Sequence, residues 1–392
     1  MHIDPAMPAL ATAILAVLLV GMFVRRLGQP LILAYLLTGV VIGPSALDLV
    51  PAELGIDRFG ALGVLLLLFF LGVEIDPAHL ARRWKVALFG TTLQILLSVG
   101  AVAALVPLAG WPAARVVLIG FAISLSSTAV VKRLQKPEDR GGELDGDVTA
   151  ILLTQDLALA PMLIVLGLFL GDGFDWHVAG LQLAGGAGML GLAAWVVVRR
   201  EDLHLPFLRH VKGDGELEVF LALSICFGLA VVSGLMHLSA ALGAFIAGLV
   251  VGQAQETRRF HHHLKPFEIV FLAAFFVSVG MLIDLRFLAE HAGTLAGLVL
   301  VVLALNTLVN YLMLRSFGRE RGPSLVGGAM LAQVGEFAFV LALVGHNSGI
   351  LTDFGYQMTL AVVALSLAVS PAWIALVKRL ARPIAARGTP AG

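Results

Sequence analysis

Charged residues are scarce in this chain of 392 amino acids. Asp, Glu, Lys and Arg make up 13% of it, against about a quarter of a typical soluble domain, and hydrophobic residues make up 59%. So few charges cannot cover the water-facing surface of a soluble fold of this length. The formal net charge is zero, so no basic field indicates a nucleic acid partner. The composition predicts an all-α membrane protein.

Cysteine is almost absent, and the signatures of enzymes are missing. The single cysteine, Cys226, excludes an internal disulfide and a cysteine-based metal cluster, and we interpret it as a packing residue. The adjacent His261, His262 and His263 lack the spacing of a helical metal site and are expected in a solvated loop. No Walker motif, dinucleotide fingerprint or nucleophile–base pattern is present. We predict neither an enzyme nor a cofactor, and no metal beyond a transported cation.

Long apolar runs are what the chain has in abundance. A helix that crosses a bilayer needs about 20 apolar residues, and we predict thirteen such spans, several of them short or glycine-rich enough to be broken. The first residues lack the basic start of a signal peptide, so the first run is expected in the mature protein. The predicted spans are roughly 8–24, 30–47, 59–73, 86–109, 114–131, 148–170, 178–198, 217–235, 238–252, 267–283, 293–314, 324–345 and 355–377.

Lysine and arginine fall almost entirely on one side of these spans. Of the 26 cationic residues, 23 lie in odd-numbered connections or in the C-terminal tail, whereas Arg58, Arg115 and Arg286 lie on the other side. Cationic loops stay in the cytoplasm, so the N-terminus is expected outside and the C-terminus inside. The pattern predicts a multi-pass protein of a bacterial inner membrane.

Two pairs of segments repeat at nearly the same separation. Leu37–Gly43 is similar to Ile246–Gly252 at an offset of 209 residues, and Phe70–Asp76 is similar to Ser278–Asp284 at an offset of 208. An odd helix between two such halves turns the second half over, and inverted repeats of this kind are typical of secondary transporters. Chance similarity between apolar segments is the alternative.

This repeat predicts one transmembrane domain over the whole of 1–392. The first six-helix half covers about 8–170, a linker helix about 178–198 and the second half about 217–381. No cytoplasmic nucleotide-binding domain is expected within this sequence.

One carboxylate lies deep in a predicted span. Asp156 falls within the apolar run 150–161, and an ionisable residue at membrane depth marks a functional site by default. A buried carboxylate that holds either a proton or a cation is what an ion–proton exchanger requires. A structural aspartate bonded to a neighbouring helix is the alternative. The adjacent Gln155 offers an amide oxygen to a cation or to a neighbouring helix.

Hydroxyl groups cluster in the preceding span. Ser126, Ser127 and Thr128 can satisfy backbone groups where a helix unwinds, or face a cation with neutral oxygens. Packing of small residues between helices is the alternative. Together with Asp156 and Gln155, these residues form the predicted proton and cation site.

The offset of 208 leads to a second polar patch. Added to residues 124–130 it gives 332–338, which contain Gln333 and Glu336, and a second broken helix that crosses the first is therefore predicted. We assign Glu336 a gating or structural role in preference to ion coordination. Asn306, in the middle of the eleventh span, is expected to bond an unwound backbone, to neighbour the ion site, or to join two helices.

At these residues the chain resembles the second family of monovalent cation:proton antiporters, and most of all the membrane domain of the glutathione-gated potassium efflux (Kef) group. The resemblance implies a thirteen-helix inverted-repeat fold, a homodimer formed through a dimerisation domain, and a mobile core domain with two crossed, broken helices. It also implies that Asp156 is the proton and cation carboxylate and that Gln155 marks the electroneutral branch. The similar stretches, in family order, are Leu37 to Pro44, Phe70 to Pro77, Ser124 to Val130, Leu153 to Pro161, Ala241 to Gly252, Phe275 to Asp284 and Gln333 to Phe339.

Two departures from that family's pattern affect what can be inferred. Many of its members have a lysine near the position of Asn306, so ion selectivity and pH response stay open. The Kef group also has a regulatory nucleotide-binding domain after the last helix, whereas this sequence ends at Gly392. Gating by glutathione or nucleotide is therefore not inferred, and a truncated sequence, a separate regulatory subunit or a protein without that domain are left open.

The sequence predicts exchange of K+, or alternatively Na+, for H+ by alternating access. A single carboxylate predicts about one cation per proton and little dependence on voltage. The alternatives are an ion-coupled symporter of an organic anion, which would need a deep arginine, and an ion channel, which would need a filter-like glycine run. Neither feature is found in the spans.

Overall fold

The computed structural model describes residues 6–50, 56–74, 83–105, 110–128, 130–131, 142–169, 176–198, 214–236, 238–253 and 260–386. Within these residues the chain is helical and contains no strand, and seven helices are long and apolar enough to cross a membrane. The predicted class, an all-α membrane protein, is confirmed. The count of thirteen spans stays a prediction. The basic residues of 132–140 and 199–212 and the side chains of Arg58, His261 and His262 lie outside the described part.

Helices overlap every predicted span, although their ends differ. A π-helical turn at Lys85–Gly90 leads directly into the fourth α-helix. The α-helices are α1 (Ala6–Arg26), α2 (Leu31–Ile42), α3 (Ile56–Glu74), α4 (Thr91–Ala103), α5 (Ala113–Ser124), α6 (Glu143–Gly167), α7 (Trp176–Val198), α8 (Gly215–Leu235), α9 (Ala240–Gln253), α10 (Phe260–Met281), α11 (Leu285–Glu290), α12 (Ala292–Ser316), α13 (Arg321–Met330), α14 (Phe337–Asn347) and α15 (Asp353–Ala386).

The helices group into two compact units. The first unit comprises the described residues within Met1–Leu54, Ala78–Asp156 and Val279–Gly392. The second comprises those within Gly55–Pro77 and Leu157–Ser278. The boundary within α6 falls directly after Asp156, so the candidate carboxylate belongs to the first unit.

Apolar side chains from α6, α12, α13 and α15 form a core of the first unit. Ile151 and Leu152 of α6 pack with Met313 and Leu314 of α12, and all four are buried. In the second unit, Phe69 of α3 and other apolar residues of α3, α8, α9 and α10 form a separate buried cluster. The first of these cores holds α6 in place beside the two broken helices described next.

Two helices of the first unit are broken. Helix α5 ends at Ser124, residues 125–127 are not helical, with Leu125 in an extended conformation, and the helix resumes at Thr128. Helix α13 ends at Met330, and α14 begins only at Phe337. Both breaks fall where the sequence predicts them. The second break is predicted only by adding the offset of 208 residues to the position of the first.

Glycines allow close helix contacts at two corresponding places. In the first unit, a Cβ on Gly280 would clash with the carbonyl oxygen of Leu36. In the second unit, a Cβ on Gly72 would clash with the carbonyl oxygen of Phe245. Leu36 and Phe245 are 209 residues apart, and Gly72 and Gly280 are 208 apart. The matched contacts favour the inverted repeat, which stays a proposal.

Candidate functional site

Asp156 is buried where α6 passes the break in α5. Its side chain is 3% exposed, and the Thr128 hydroxyl donates to Asp156 Oδ2 over 3.3 Å. Burial of a carboxylate is costly unless it is protonated, hydrogen-bonded or bound to a cation. The structure therefore brings together two of the five predicted site residues in a direct contact.

Gln155 holds the broken backbone of α5. Its Oε1 accepts from the backbone N–H of Ser126 over 2.9 Å, and its Nε2 donates to Gln94 Oε1 over 2.7 Å. Gln94 in turn donates to the carbonyl oxygen of Ser124 over 3.0 Å. Both ends of the Gln155 amide are thus used within the protein. This geometry favours a positioning role for Gln155 over direct coordination of a cation.

Ser126 and Ser127 also stabilise the break. The Ser126 hydroxyl donates to the carbonyl oxygen of Leu331 over 2.8 Å. The Ser127 hydroxyl accepts from the backbone N–H of Val130 over 3.3 Å, where the helix resumes. Of the three predicted hydroxyls, Thr128 is therefore the one bonded to Asp156.

The two breaks touch each other. The backbone N–H of Gly335 donates to the carbonyl oxygen of Leu125 over 2.7 Å, and Gln333 Nε2 donates to the carbonyl oxygen of Ser127 over 3.4 Å. A Cβ on Gly335 would lie 2.6 Å from the carbonyl oxygen of Ser126. Only glycine permits the two backbones to approach this closely. The predicted crossing of two broken helices is present.

Asn306 joins the two breaks from α12. Its Nδ2 donates to the carbonyl oxygen of Ile123 over 2.7 Å and to that of Ala332 over 2.9 Å. The side chain is 1% exposed. Carbonyl groups at the ends of α5 and α13 carry the negative ends of helix dipoles, which an N–H donor stabilises. Asn306 therefore bonds to backbone carbonyl groups next to the two breaks, which is one of the roles predicted for it.

The polar contacts at the two breaks correspond. The carbonyl oxygens of Ser124 and Ala332, 208 residues apart, accept from the carboxamides of Gln94 and Asn306, respectively. The backbone N–H groups of residues 126 and 334 are likewise 208 apart, and donate to Gln155 and Ser366. Uncharged side chains from the helices on either side therefore hold each break.

Glu336 lies at the end of the second break. It is the residue before α14, where the positive end of the helix dipole favours a carboxylate. It is 7% exposed. This position fits the structural or gating role assigned to Glu336, and that role stays a prediction.

A separate buried carboxylate occupies the N-terminal part of α6. Asp147 is 0% exposed; Arg83 Nη1 lies 2.5 Å from its Oδ1, and Arg319 Nε lies 2.6 Å from its Oδ2. Arg319 also pairs with Glu143. Burial lowers the pKa of Arg319, but its hydrogen bonds and charge interactions with Asp147 and Glu143 outweigh that effect and raise it. We name Arg83, Glu143, Asp147 and Arg319 the Asp147 cluster.

Sequence reasoning missed the roles of Gln94, of Ser366 and of the two arginines of the Asp147 cluster. Gln94 lies within the predicted span 86–109 and could have been found by the rule that selected Asn306. Ser366 carries no such signal, because hydroxyls are common in membrane helices. The arginines of the Asp147 cluster were used only to orient the chain, since partners so distant in sequence are not visible in a single sequence.

A buried carboxylate at the crossing of two broken helices defines a class of secondary transporter. The chain belongs to the sodium/hydrogen exchanger, transmembrane family, whose model matches residues 12–379. It is thus a multi-pass membrane protein of a cation/proton exchanger family.

Known relatives agree with this family over nearly the whole chain. The chain is 34% identical over 382 residues to "Iron transporter MagA" of Paramagnetospirillum magneticum. That alignment covers 96% of this chain and 87% of the relative. A structure of the sodium proton antiporter MjNhaP1 from Methanocaldococcus jannaschii at pH 8 aligns with a TM-score of 0.68 and 16% identity over 97% and 99% of the two chains. An electron microscopy map of MjNhaP1 gives a TM-score of 0.64 and 17% identity, with both chains fully covered. These likenesses confirm the fold.

Proposed function

We propose that this protein exchanges a monovalent cation for H+ and that Asp156 carries both. The observation that supports this most is the buried Asp156 carboxylate, bonded to Thr128 beside the crossing of two broken helices. Membership of the sodium/hydrogen exchanger family supports the same chemistry.

The exchange cycle follows from the two states available to a buried carboxylate. Asp156 is either protonated or charge-balanced by a cation, because a bare carboxylate is costly to bury. Thr128 supplies a neutral oxygen beside it, and the non-helical segment 125–127 lies directly before Thr128. Such oxygen donors suit hard, weakly polarising cations. Alternating access of this one site to the two sides couples the two fluxes.

The remaining site residues act on the backbone around Asp156. Gln155, Ser126 and Ser127 hold the break of α5, and Asn306 and Gln333 link it to the second break. In this proposal Glu336 stabilises the start of α14. A ligand role for the Gln155 oxygen would require it to release the N–H of Ser126.

Na+ is the first candidate cation and K+ the second. The resemblance to the Kef group favours K+, whereas the family description and the printed name of MjNhaP1 both favour Na+. Uncharged and carboxylate oxygens accept either alkali ion, so direct measurement has to decide.

Stoichiometry, assembly and orientation complete the proposal. One titrating carboxylate gives one cation per proton and an electroneutral cycle. The resemblance to transporters with a dimerisation domain supports a homodimer, and the bias of lysine and arginine supports an outside N-terminus and a cytoplasmic C-terminus. Thirteen spans in two inverted halves are consistent with the corresponding contacts at the two breaks.

Fe2+ is a third candidate cation, because the chain is 34% identical to a protein named as an iron transporter. A carboxylate and hydroxyl oxygens can also bind Fe2+. Within the described residues, no group of three or more His, Cys, Asp or Glu side chains could hold a metal ion. This absence among the described residues, together with the sodium/hydrogen exchanger family, places Fe2+ behind the alkali ions.

Proteoliposomes test these assignments. An internal pH dye follows proton movement after external Na+, K+, Li+, Rb+ or Fe2+ is added, with the membrane potential clamped at zero or at a set value by valinomycin. We expect Na+ to drive the fastest exchange and the potential to have little effect. Fastest exchange with K+ would restore the first prediction from the sequence.

The variant Asp156→Asn is expected to abolish exchange, because the amide can neither release a proton nor balance a cation. Asp353→Asn, at a fully exposed residue at the start of α15, serves as a control and should exchange normally. Exchange at the normal rate by Asp156→Asn would refute the proposal.

A further inference from the structure

The first unit contains a cavity of about 210 Å³ on the side of α5 that precedes its break. Side chains of α5, α12 and α15 line it, together with Val334 of the second break. Ile123 and Val334 belong to the lining and adjoin the two breaks. The cavity thus lies next to the crossing, among residues for which the proposed exchange gives no role.

The cavity lining is apolar apart from a few groups, of which one is charged. Arg115 lines it from the first turn of α5, and its Nε donates to the carbonyl oxygen of Ile350 over 3.1 Å. Among the described residues, no hydrogen bond engages the two terminal nitrogens of this guanidinium. The bond to Ile350 fixes the guanidinium while its terminal N–H groups stay available. Trp111 adds an indole ring to the same lining.

Size and charge together restrict what can occupy this cavity. An apolar cavity of about 150 Å³ is enough to bind benzene, so the present volume accommodates one ring with a small substituent. A guanidinium binds carboxylate and sulfonate groups through charge-assisted hydrogen bonds. A cationic ligand is disfavoured by Arg115.

We propose that this cavity binds a small amphipathic anion. The apolar body of the ligand, a single ring or a short chain, fills the space between α5, α12 and α15. Its anionic group pairs with Arg115. The orientation predicted from the lysine and arginine distribution places Arg115 on the outer side, so the ligand enters from outside the cell.

Occupancy of the cavity acts on the breaks without touching Asp156. The carbonyl oxygen of Ile123 accepts from Asn306, and the N–H of Val334 donates to Ser366, so both lining residues belong to the network that holds the breaks. A ligand wedged against them inhibits exchange without competing with the cation. This consequence rests on the proposed exchange function, whereas binding itself does not.

Calorimetric titration of the purified full chain in nanodiscs of zwitterionic lipid tests the site. Benzenesulfonate is the probe, because its permanent charge prevents it from carrying protons across a membrane. Benzyltrimethylammonium and benzenesulfonamide are the cationic and neutral comparisons. We expect binding of the anion, at least tenfold weaker binding of the neutral compound, and no binding of the cation.

Two variants assign the binding to this cavity. Arg115→Gln should weaken benzenesulfonate binding about tenfold or more, as expected for loss of a charge-assisted hydrogen bond. Arg286→Gln removes the other described arginine on the predicted outer side and should leave binding unchanged. Met358→Trp fills the cavity and should abolish binding, with thermal unfolding measured to show that it folds.

Equal binding of the three probes, or unchanged binding to Arg115→Gln, would overturn the proposal. Loss of benzenesulfonate binding in nanodiscs of anionic phospholipid would also overturn it, because a lipid would then be the occupant. Anion binding by a protein that shows no cation exchange would refute the proposed function and leave this site intact.

Discussion

At this crossing, uncharged amide side chains donate hydrogen bonds to backbone carbonyl groups, a role that a charged side chain could also fill. Asn306 donates to carbonyl groups at the ends of two half-helices, whose dipoles place partial negative charge there. Gln94 donates to the corresponding carbonyl of the first break. Since both donors are neutral, the crossing is stabilised without adding a positive charge that would compete with a cation at the proposed site, Asp156.

Removal of the Asn306 amide should destabilise the protein. Asn306→Ala leaves two buried carbonyl oxygens without donors, and we expect a loss of about 2–4 kcal/mol, measured as a lower unfolding temperature in detergent. Asn306→Lys should retain more stability than the alanine variant, because an ammonium can donate to both carbonyls.

The control for this comparison is Asn347→Ala, at an exposed residue at the end of α14. It should unfold at the temperature of the unchanged protein. If Asn306→Ala is as stable as that control, the two hydrogen bonds do not hold the crossing.

At the scale of helices, the breaks could be predicted and their supporting contacts could not. The hydroxyl cluster at 126–128 identifies the first break, and the offset of 208 residues identifies the second, so both could be predicted from the sequence alone. Which hydroxyl contacts Asp156 depends on the backbone conformation of the non-helical segment, which the sequence does not show. The sequence therefore predicts three candidate hydroxyls, and in the structure it is Thr128 that bonds to Asp156. The role of Ser366 depends on how α15 packs against a distant loop, which no local pattern encodes.

The contact between the two breaks depends on Gly335. In Gly335→Ala the new Cβ would lie 2.6 Å from the Ser126 carbonyl oxygen, so the two backbones must separate. We expect a loss of stability of about 1–3 kcal/mol and a marked fall in exchange rate, measured by thermal unfolding and in proteoliposomes.

Gly297→Ala is the matched control, since a Cβ at that position in α12 meets no atom within 4 Å. It should be neutral or slightly stabilising, as expected for alanine within a helix. Equal effects of the two substitutions would show that the close approach at Gly335 is not required.

For the whole molecule, charge placement predicts an orientation that the single cysteine makes testable. Cys226 is 0% exposed, so an impermeant maleimide should not label the unchanged protein in intact cells. Asp353→Cys, at an exposed position on the predicted outer side, should react without permeabilisation. Glu320→Cys, exposed on the predicted cytoplasmic side, should react only after the cells are permeabilised. The reverse pattern would contradict the predicted orientation.

Helix α6 carries two buried carboxylates, and their surroundings assign them different tasks. Asp147 contacts two arginines, which join α6 to the segment before α4 and to the connection after α12. Asp156 accepts a hydrogen bond from the Thr128 hydroxyl. A carboxylate fixed by two cations is unsuited to release its charge to a transported ion, so the proposed exchange assigns that task to Asp156 and not to Asp147.

The two residues should therefore respond in opposite ways to the same substitution. Asp147→Asn breaks two ion pairs and should lower stability by about 1–3 kcal/mol, less than for a fully buried pair because both arginines are partly exposed, while exchange continues. Asp156→Asn keeps the size of the side chain and an oxygen that accepts from Thr128, so it should unfold near the normal temperature, while exchange is lost. Thermal unfolding and proteoliposome exchange, measured on both variants, test the assignment. If Asp147→Asn lost exchange with stability intact, the Asp147 cluster would belong to the transport site, and the division of tasks along α6 would be wrong.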